Sequence, residues 1–495
     1  MRIILLALIF GIYASFATHS YYWDGISFAL AIENFYRKAA PFGVLFHPNH
    51  LLYNLAGYWV FRVFRALGLM GRALWVLQGL NILISVCCGY VVFRIAEWSF
   101  KSAALAFYCW LLFAFGALWW EFSTDADAYI IAIFFLTLSF FYILTRGVRY
   151  LPMVCVLHVL AMVVHELSLF FFVPVLISIW LEPGMRMRRR ILCGAGYCVA
   201  AALLVGSLYY FCFRLALHPD NGNVFSWALS HADDVRFAYS VRNIILVNAL
   251  SYIKLFLGGK LSFVYAYLSA PTLISLLAAV SGIAFFAVLL RRRKFDQETV
   301  RVVRRSERGQ RCLRLAISWV LPYAVFLSVW LPQNGFYKLL IWPPLVLLLG
   351  CYLSLRPRLV SAAAALLVAQ AGWNFAAYVY PRSHDSAAPV VQFAKELSEQ
   401  LPRGTVIYYA SFVPDDWYLQ YFTPGTEWRH LDSPDPGLLT RAISEVHPRV
   451  CVETTALAQL RTHALESGTP PPVFGTQYKW DLVSRKYNVR MRCMN

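Results

Sequence analysis

The sequence predicts an α-helical polytopic membrane protein of about eleven transmembrane helices, followed by a small extracytoplasmic α/β domain. Three observations predict it. Of 495 residues, 60% are hydrophobic and only 14% charged, with a mean hydropathy of +0.57; soluble domains carry about 25% charged residues, so this chain has too few to wet its surface. Apolar runs close to the ~20 residues that cross a bilayer recur through residues 1–380. From residue 381 hydrophobicity falls, and Pro, Gly, Asp and His rise to soluble frequencies. These features exclude a soluble globular enzyme, a disordered chain and a coiled coil.

The apolar runs lie near 3–18, 73–93, 103–121, 127–145, 151–164, 168–182, 191–213, 261–290, 315–331, 338–355 and 359–380. The first has the form of a signal peptide, with Arg2 and small residues ending at Ala17, and is read as an uncleaved helix. The apolar stretch 151–182 is interrupted by His165-Glu166, where it is divided into two spans. Residues 51–66 carry Asn54, Gly57, Arg62 and Arg65 along an otherwise apolar segment and are read as a helix lying on the outer membrane surface. Residues 243–258 receive the same reading. Three basic clusters check the topology: Arg186 to Arg190, the ten Lys/Arg between Arg291 and Arg314, and Arg356 with Arg358. With a cytoplasmic N-terminus all three fall in cytoplasmic loops, as the excess of Lys and Arg on that side requires. The net charge of +18 is then topological, and no nucleic-acid partner is expected.

The chain divides into two domains, a membrane domain over 1–380 and a soluble one over 381–495. In the second, TVIYYAS (405–411) reads as a strand after the turn Pro402-Arg403-Gly404, 438–446 as a helix, RVCVETT (449–455) as a strand, and a further helix starts at Ala456. The eleven cysteines are scattered without a CxxC pair, which excludes a zinc site and a dense disulfide framework. Cys451 reads as a buried mid-strand thiol, with a Cys451–Cys493 disulfide as the alternative in an oxidising compartment.

In a chain so short of charge, ionisable residues near membrane depth mark sites. They collect on the outer side: YYWDG with Asp24, then Glu33, then FHPNH with His47 and His50; WWEFSTDADAY with Glu121, Asp125, Asp127 and Tyr129; His165-Glu166; the loop 214–260 with Arg214, Asp233, Asp234, Arg236, Arg242, Lys254 and Lys260; and LPQNGFYKLLIWPP with Tyr337 and Lys338. Each has a structural alternative. Asp24 can cap a helix starting at Ser27, and Thr124 or Asp125 can cap the helix that comes next. Pro48 disfavours a helical metal pair at His47 and His50. His165-Glu166 can satisfy each other, and Tyr337-Lys338 can be an interfacial snorkelling pair.

Together these elements resemble the GT-C superfamily of membrane glycosyltransferases, which includes protein O-mannosyltransferases and aminoarabinose transferases. The resemblance rests on Asp24 after the first span, on FHPNHLLYNL leading into a membrane-lying helix, on STDADAY with His165-Glu166, and on LPQNGFYKLLIWPP before an extracytoplasmic α/β tail. Gly25 stands where many O-mannosyltransferases carry a second acid, and Lys338 supplies the cation where relatives carry Arg before the Tyr. No WWDYG-type oligosaccharyltransferase signature is present.

The resemblance implies transfer of a sugar from a polyprenyl-phosphate donor to a lipid, glycan or protein acceptor at the outer face, in a bacterial inner membrane. A carboxylate would act as general base: Asp24 first, with Asp127 and Glu166 as alternatives. Direct displacement with one base implies inversion. Lys338 with Tyr337 would hold the leaving phosphate, with Arg242 as a loop alternative, and His47, His50, Asp125 and His165 would complete the binding set. Asp125 and Asp127 could hold a divalent Mg or Mn ion; no other cofactor is expected. The competing class is a transporter or flippase of lipid-linked sugars, disfavoured because no inverted repeat is evident and the carboxylates gather on one face.

Overall fold

A computed structural model describes the chain except for residues 1, 217–221, 231–239, 292–305, 411–415, 431–449, 454–455, 457, 459–461, 463–490 and 495. The chain forms two compact units, one of Met1–Thr18 with Ala31–Ser383 and one of His19–Leu30 with His384–Asn495.

The chain is mostly helical. Its first helices are α1 (Arg2–Ser15), α2 (Trp23–Tyr36), α3 (Tyr53–Ala66), α4 (Ala73–Phe100), α5 (Ala103–Phe115), α6 (Ala117–Ser123), α7 (Tyr129–Arg146), α8 (Leu151–Val164), α9 (Phe172–Trp180) and α10 (Met187–Leu215). Then come α11 (Val224–Ala228), α12 (Asn248–Phe256), α13 (Leu261–Ala266), α14 (Ala270–Arg291), α15 (Glu307–Val329), α16 (Trp342–Ser354), α17 (Val360–Asn374) and α18 (Tyr380–Arg382). All eleven expected runs are helical. By length and composition, eight segments among the described residues can cross a bilayer, and nine if the pair α5 and α6, bent by 65°, is one span. One of the eight, Tyr129–Val164, contains two helices, α7 and α8, which pack on each other. Gly147 makes the turn between them with φ +62°, and a Cβ there would meet the Glu182 carboxylate at 2.7 Å. Helix α1 and the segment Glu166–Trp180 are shorter apolar helices.

The division of 151–182 falls where the sequence placed it. Helix α8 ends at Val164, His165 is extended, and a 3-10 segment (Glu166–Phe171) leads into α9. Helix α3 is not among the span-length helices. It buries Tyr53, Asn54, Gly57 and Phe61 and leaves Trp59, Val60 and Val63 exposed, the amphipathic division expected of a surface-lying helix. Residues 243–256 are helical, but with α13 they form a stretch, Asn243–Ala266, that is long and apolar enough to cross. Exposed apolar side chains such as Leu203 and Phe211 on α10 and Ile274 and Leu277 on α14 have no water-facing rationale; they are a lipid-contact surface.

The second unit contains α19 (Pro389–Gln400), β1 (Thr405–Tyr409), α20 (Asp416–Phe422), β2 (Thr426–His430), β3 (Val450–Glu453) and β4 (Met491–Met494). The sheet order is β2-β1-β3-β4, with β1 parallel to both β2 and β3 and β4 antiparallel to β3. Strand β1 is buried throughout, as a central parallel strand must be. Phe393 and Leu397 of α19 close one core against Ile407, Leu419, Trp428 and Cys451. Cys451 is disulfide-bonded, and its register partner across the sheet is Cys493. Cys451 is therefore not a free buried thiol. The helix expected at 438–446 lies outside the described residues.

Candidate functional site

Asp24 belongs to the second unit, whereas the other described candidates belong to the first. Helix α2 starts at Trp23, so Asp24 lies inside the first turn and is not a cap for a helix beginning at Ser27. A carboxylate there is favoured by the helix dipole. Around it, Trp23 stacks on Trp417 with ring centroids 5.4 Å apart, and the Tyr418 hydroxyl donates to the Tyr21 carbonyl at 2.6 Å. Desolvation pushes the half-buried Asp24 carboxyl up to about 7.

In the first unit, α4 holds the acidic loop from below. The Gln78 amide donates to the Thr18 and Thr124 carbonyls (2.9 and 2.8 Å), and the Asn81 amide to those of Asp125 and Asp127 (2.8 and 2.7 Å). Asp125 Oδ1 accepts from the Ala126 amide at 2.7 Å, and Asp127 Oδ1 from the Tyr129 amide at 3.2 Å. The N-cap of α7 is Ala128, without a side-chain cap, so neither Thr124, whose hydroxyl turns back to the Glu121 carbonyl, nor Asp125 caps it. Both carboxylates are buried, and with burial they hold the Tyr53 phenol well above its usual range. Among the described residues no three His, Cys, Asp or Glu side chains converge as a metal site requires. The Asp125–Asp127 pair stands there without a third ligand.

Histidines and tyrosines form a second cluster. His47 stacks near His50 (5.7 Å between centroids), His50 lies 5.1 Å from His165, and His165 lies 4.3 Å from Tyr129 and 6.3 Å from Tyr337. His50 Nδ1 bonds the Val164 carbonyl, and His165 Nδ1 accepts from the Leu167 amide, capping the 3-10 segment. By contrast His158, inside α8, is satisfied on both ring nitrogens by Tyr197 and the Ser168 carbonyl. It is core structure.

His165 and Glu166 do not satisfy each other. Glu166 is half-buried and makes no hydrogen bond or ion pair among the described residues; desolvation pushes it up to about 7. A group whose folded pKa exceeds its ordinary value of 4.5 opposes folding once ionised. That cost is absent below 4.5, builds between 4.5 and 7, and is complete above 7. Glu166→Gln is therefore expected to raise the melting temperature in detergent at pH 8, by a gain on the order of 1–3 kcal/mol after discounting for partial exposure. At pH 4 the two proteins should melt together. Equal melting at pH 8 would mean that the carboxylate is not desolvated.

Lys338 is fully buried. Its ammonium donates to Ser251 Oγ and to the Pro332 carbonyl (2.8 Å) and faces the Tyr252 ring at 5.0 Å. The charge of Lys254 acts on it, and neither lysine has a carboxylate partner among the described residues. Lys338 is thus no snorkelling side chain. Tyr337 packs on Trp330 and Phe336 (4.8 and 4.5 Å). Upstream, Leu331 adopts a left-handed φ of +50°, a conformation costly for a non-glycine residue. Arg242 is exposed at the start of the 243–247 π-helical turn, and Asp233, Asp234 and Arg236 lie outside the described residues.

Two clusters were not separable in the sequence. Glu33 is buried and anchors the start of α4: it accepts from Arg72 and the Ala73 amide and pairs with Arg37 at 2.8 Å. Glu121 accepts from Tyr378 and pairs with Arg382 at 3.0 Å, while Arg382 lies 4.0 Å over the Tyr378 ring. Arg382 had no sequence signal beyond its place at the end of the last apolar run. Gln78 and Asn81 did: two amides three residues apart within an apolar run share one helix face and demand partners.

No protein-family model matches the sequence, and no curated protein matches it. The fold is similar to that of ArnT from Cupriavidus metallidurans, bound to undecaprenyl phosphate and in the apo state. The TM-scores are 0.60 and 0.59 at 11% sequence identity, over 99% of this chain and 97% of that one. An oligosaccharyltransferase from Archaeoglobus fulgidus aligns at a TM-score of 0.44 and 12% identity, over 94% of this chain and 69% of that one. The ArnT alignment covers nearly the whole of both chains, and together with the apolar helices it makes this chain an integral multi-pass membrane protein with an ArnT-like fold.

Proposed function

We propose that the protein is a membrane glycosyltransferase that moves a sugar from a polyprenyl-phosphate donor to an acceptor hydroxyl or amine at the outer face. The observation that carries the reading is the Lys338 site: a buried ammonium with no carboxylate partner among the described residues, next to the charge of Lys254. Burying a charge without a counter-ion is costly, and an anion such as a lipid phosphate removes the cost. The His165–Tyr337 contact joins this cationic side to the Glu166 side of the first unit.

In the reaction, the acceptor oxygen or nitrogen bonds to the anomeric carbon while the bond from that carbon to the donor phosphate oxygen breaks. The acceptor proton passes to a carboxylate, and the polyprenyl phosphate leaves with its negative charge stabilised by Lys338. Among the described residues, Asp24 and Glu166 are the two carboxyls that desolvation sets near 7, where a general base is both ionised and basic at neutral pH. Direct displacement inverts the anomeric carbon. The basic loops support a cytoplasmic 291–314, and the Cys451 disulfide supports a tail in an oxidising compartment outside it.

The test is purified protein in proteoliposomes with undecaprenyl phosphate carrying a radiolabelled sugar, supplied with a membrane lipid and glycan extract as acceptor. Label in a new covalent linkage is the expected result. Movement of the donor across the bilayer without a new linkage would replace the enzyme by a lipid-linked sugar transporter.

A further inference from the structure

The backbone around His165 dictates where its imidazole carries a proton. Nδ1 accepts the Leu167 amide proton at 3.2 Å, so its lone pair is committed there and the neutral ring carries its proton on Nε2. Burial reinforces neutrality: the side chain is 2% exposed, and desolvation holds the imidazole down at about 3. Nε2 finds no acceptor among the described residues. An N–H that the protein itself leaves without an acceptor is open to an oxygen of a ligand. Around the ring stand Tyr129, tilted at 4.3 Å, and Tyr337, edge-on at 6.3 Å.

We infer that His165 Nε2–H is a fixed neutral donor for an oxygen of the donor sugar, with Tyr129 and Tyr337 providing apolar surface beside the sugar ring. This rests on the glycosyltransferase reading. The division of labour comes from charge. A phosphate is best met by a cation, and this chain buries Lys338 for that purpose; a locked neutral imidazole suits an uncharged hydroxyl or ring oxygen. Because Nδ1 is spent on the cap, the ring is also held in one orientation, so the donor is positioned before the substrate arrives.

Two substitutions separate recognition from structure. Asn places its carbonyl where Nδ1 sits, keeping the cap on Leu167 and deleting the distal donor. Gln places an amide N–H near Nε2 and gives up the cap. The probes are undecaprenyl phosphate alone and undecaprenyl phosphate carrying mannose or 4-amino-arabinose, whichever the wild type binds more tightly. Affinity for the sugar-bearing lipid is expected to fall about tenfold in His165→Asn and to recover in His165→Gln, with bare undecaprenyl phosphate bound alike by all three proteins. Melting temperature should run the other way, near wild type for Asn and lower for Gln. A purely structural histidine gives Asn at wild-type affinity and Gln impaired in both measurements, which would overturn the inference. Equal weakening toward both lipids in Asn would also overturn it, since the contact would then be to phosphate. A wild type that binds none of these lipids would instead overturn the glycosyltransferase reading itself.

Discussion

Asp24→Asn is expected to lower sugar transfer by about 10²–10⁴-fold while leaving membrane insertion and the second unit intact. The amide keeps the shape of the carboxyl, and with it the place inside the first turn of α2, but it cannot take a proton. Desolvation sets the wild-type carboxyl at about 7, so its ionised fraction and its basicity are balanced near neutral pH. The activity of the wild type should therefore rise from pH 6 to pH 8 as the base ionises, and the residual activity of the Asn variant should lose that dependence. Initial rates across this range, at saturating donor, check both statements. Near-normal turnover in Asp24→Asn with the pH dependence retained would transfer the role to Glu166, which desolvation sets at the same value. Glu166→Gln would then be the inactive variant, and its higher stability at pH 8 would show that the carboxylate is kept for chemistry at a cost to folding.

Lys338→Met is expected to lower the rate at saturating donor by about 10²-fold or more, the loss produced by removing one preorganised donor from a leaving oxyanion. A cation facing a phosphate that gains charge as it departs acts more in the transition state than in ground-state binding, so kcat should fall more than donor affinity. Lys338→Arg keeps the charge and should retain substantial activity, because a guanidinium can hold a phosphate although its fork differs from a point charge. The pair of variants also guards against a folding artefact. Met and Arg both remove the ammonium from Ser251 and the Pro332 carbonyl; a purely structural lysine would make both variants fail together in melting temperature. A Met variant of wild-type rate would move the phosphate contact to other cations, with Lys254 the first to examine because its charge already acts at this site.

Composition was enough to establish the membrane class. Fourteen per cent charge over 495 residues leaves no alternative to lipid as the solvent of the apolar faces. The helices were legible for the same reason, since a span must be a near-continuous apolar run, and even the break at His165-Glu166 was visible because polar residues interrupt one. Strands β1 and β3 were legible from their β-branched and aromatic runs. Residues 243–258 were harder. They read as a surface-lying helix like 51–66, yet joined to α13 they are long enough to cross. The length of that stretch depends on whether α13 continues it past the break at Leu257–Lys260, and a local pattern does not contain that information.

By itself the sequence determined which residues are chemically able to act: in a chain so poor in charge, Asp24, Glu166, His165 and Lys338 stood out by type and by depth. It ranked them, with Asp24 and Lys338 first, only through the resemblance, because spacing along a chain says nothing about who is satisfied by whom. Tertiary structure decided that. It turned Glu33 into an anchor for α4 through Arg72 and spent Asp127 on the start of α7. It completed His158 on both nitrogens. It left Glu166 desolvated without a hydrogen-bond partner, His165 with an unused N–H, and Lys338 buried with no carboxylate, all among the described residues. The physical reason is that burial raises the cost of an unmet polar group while long-range contacts set whether it is met, and only the folded chain fixes both.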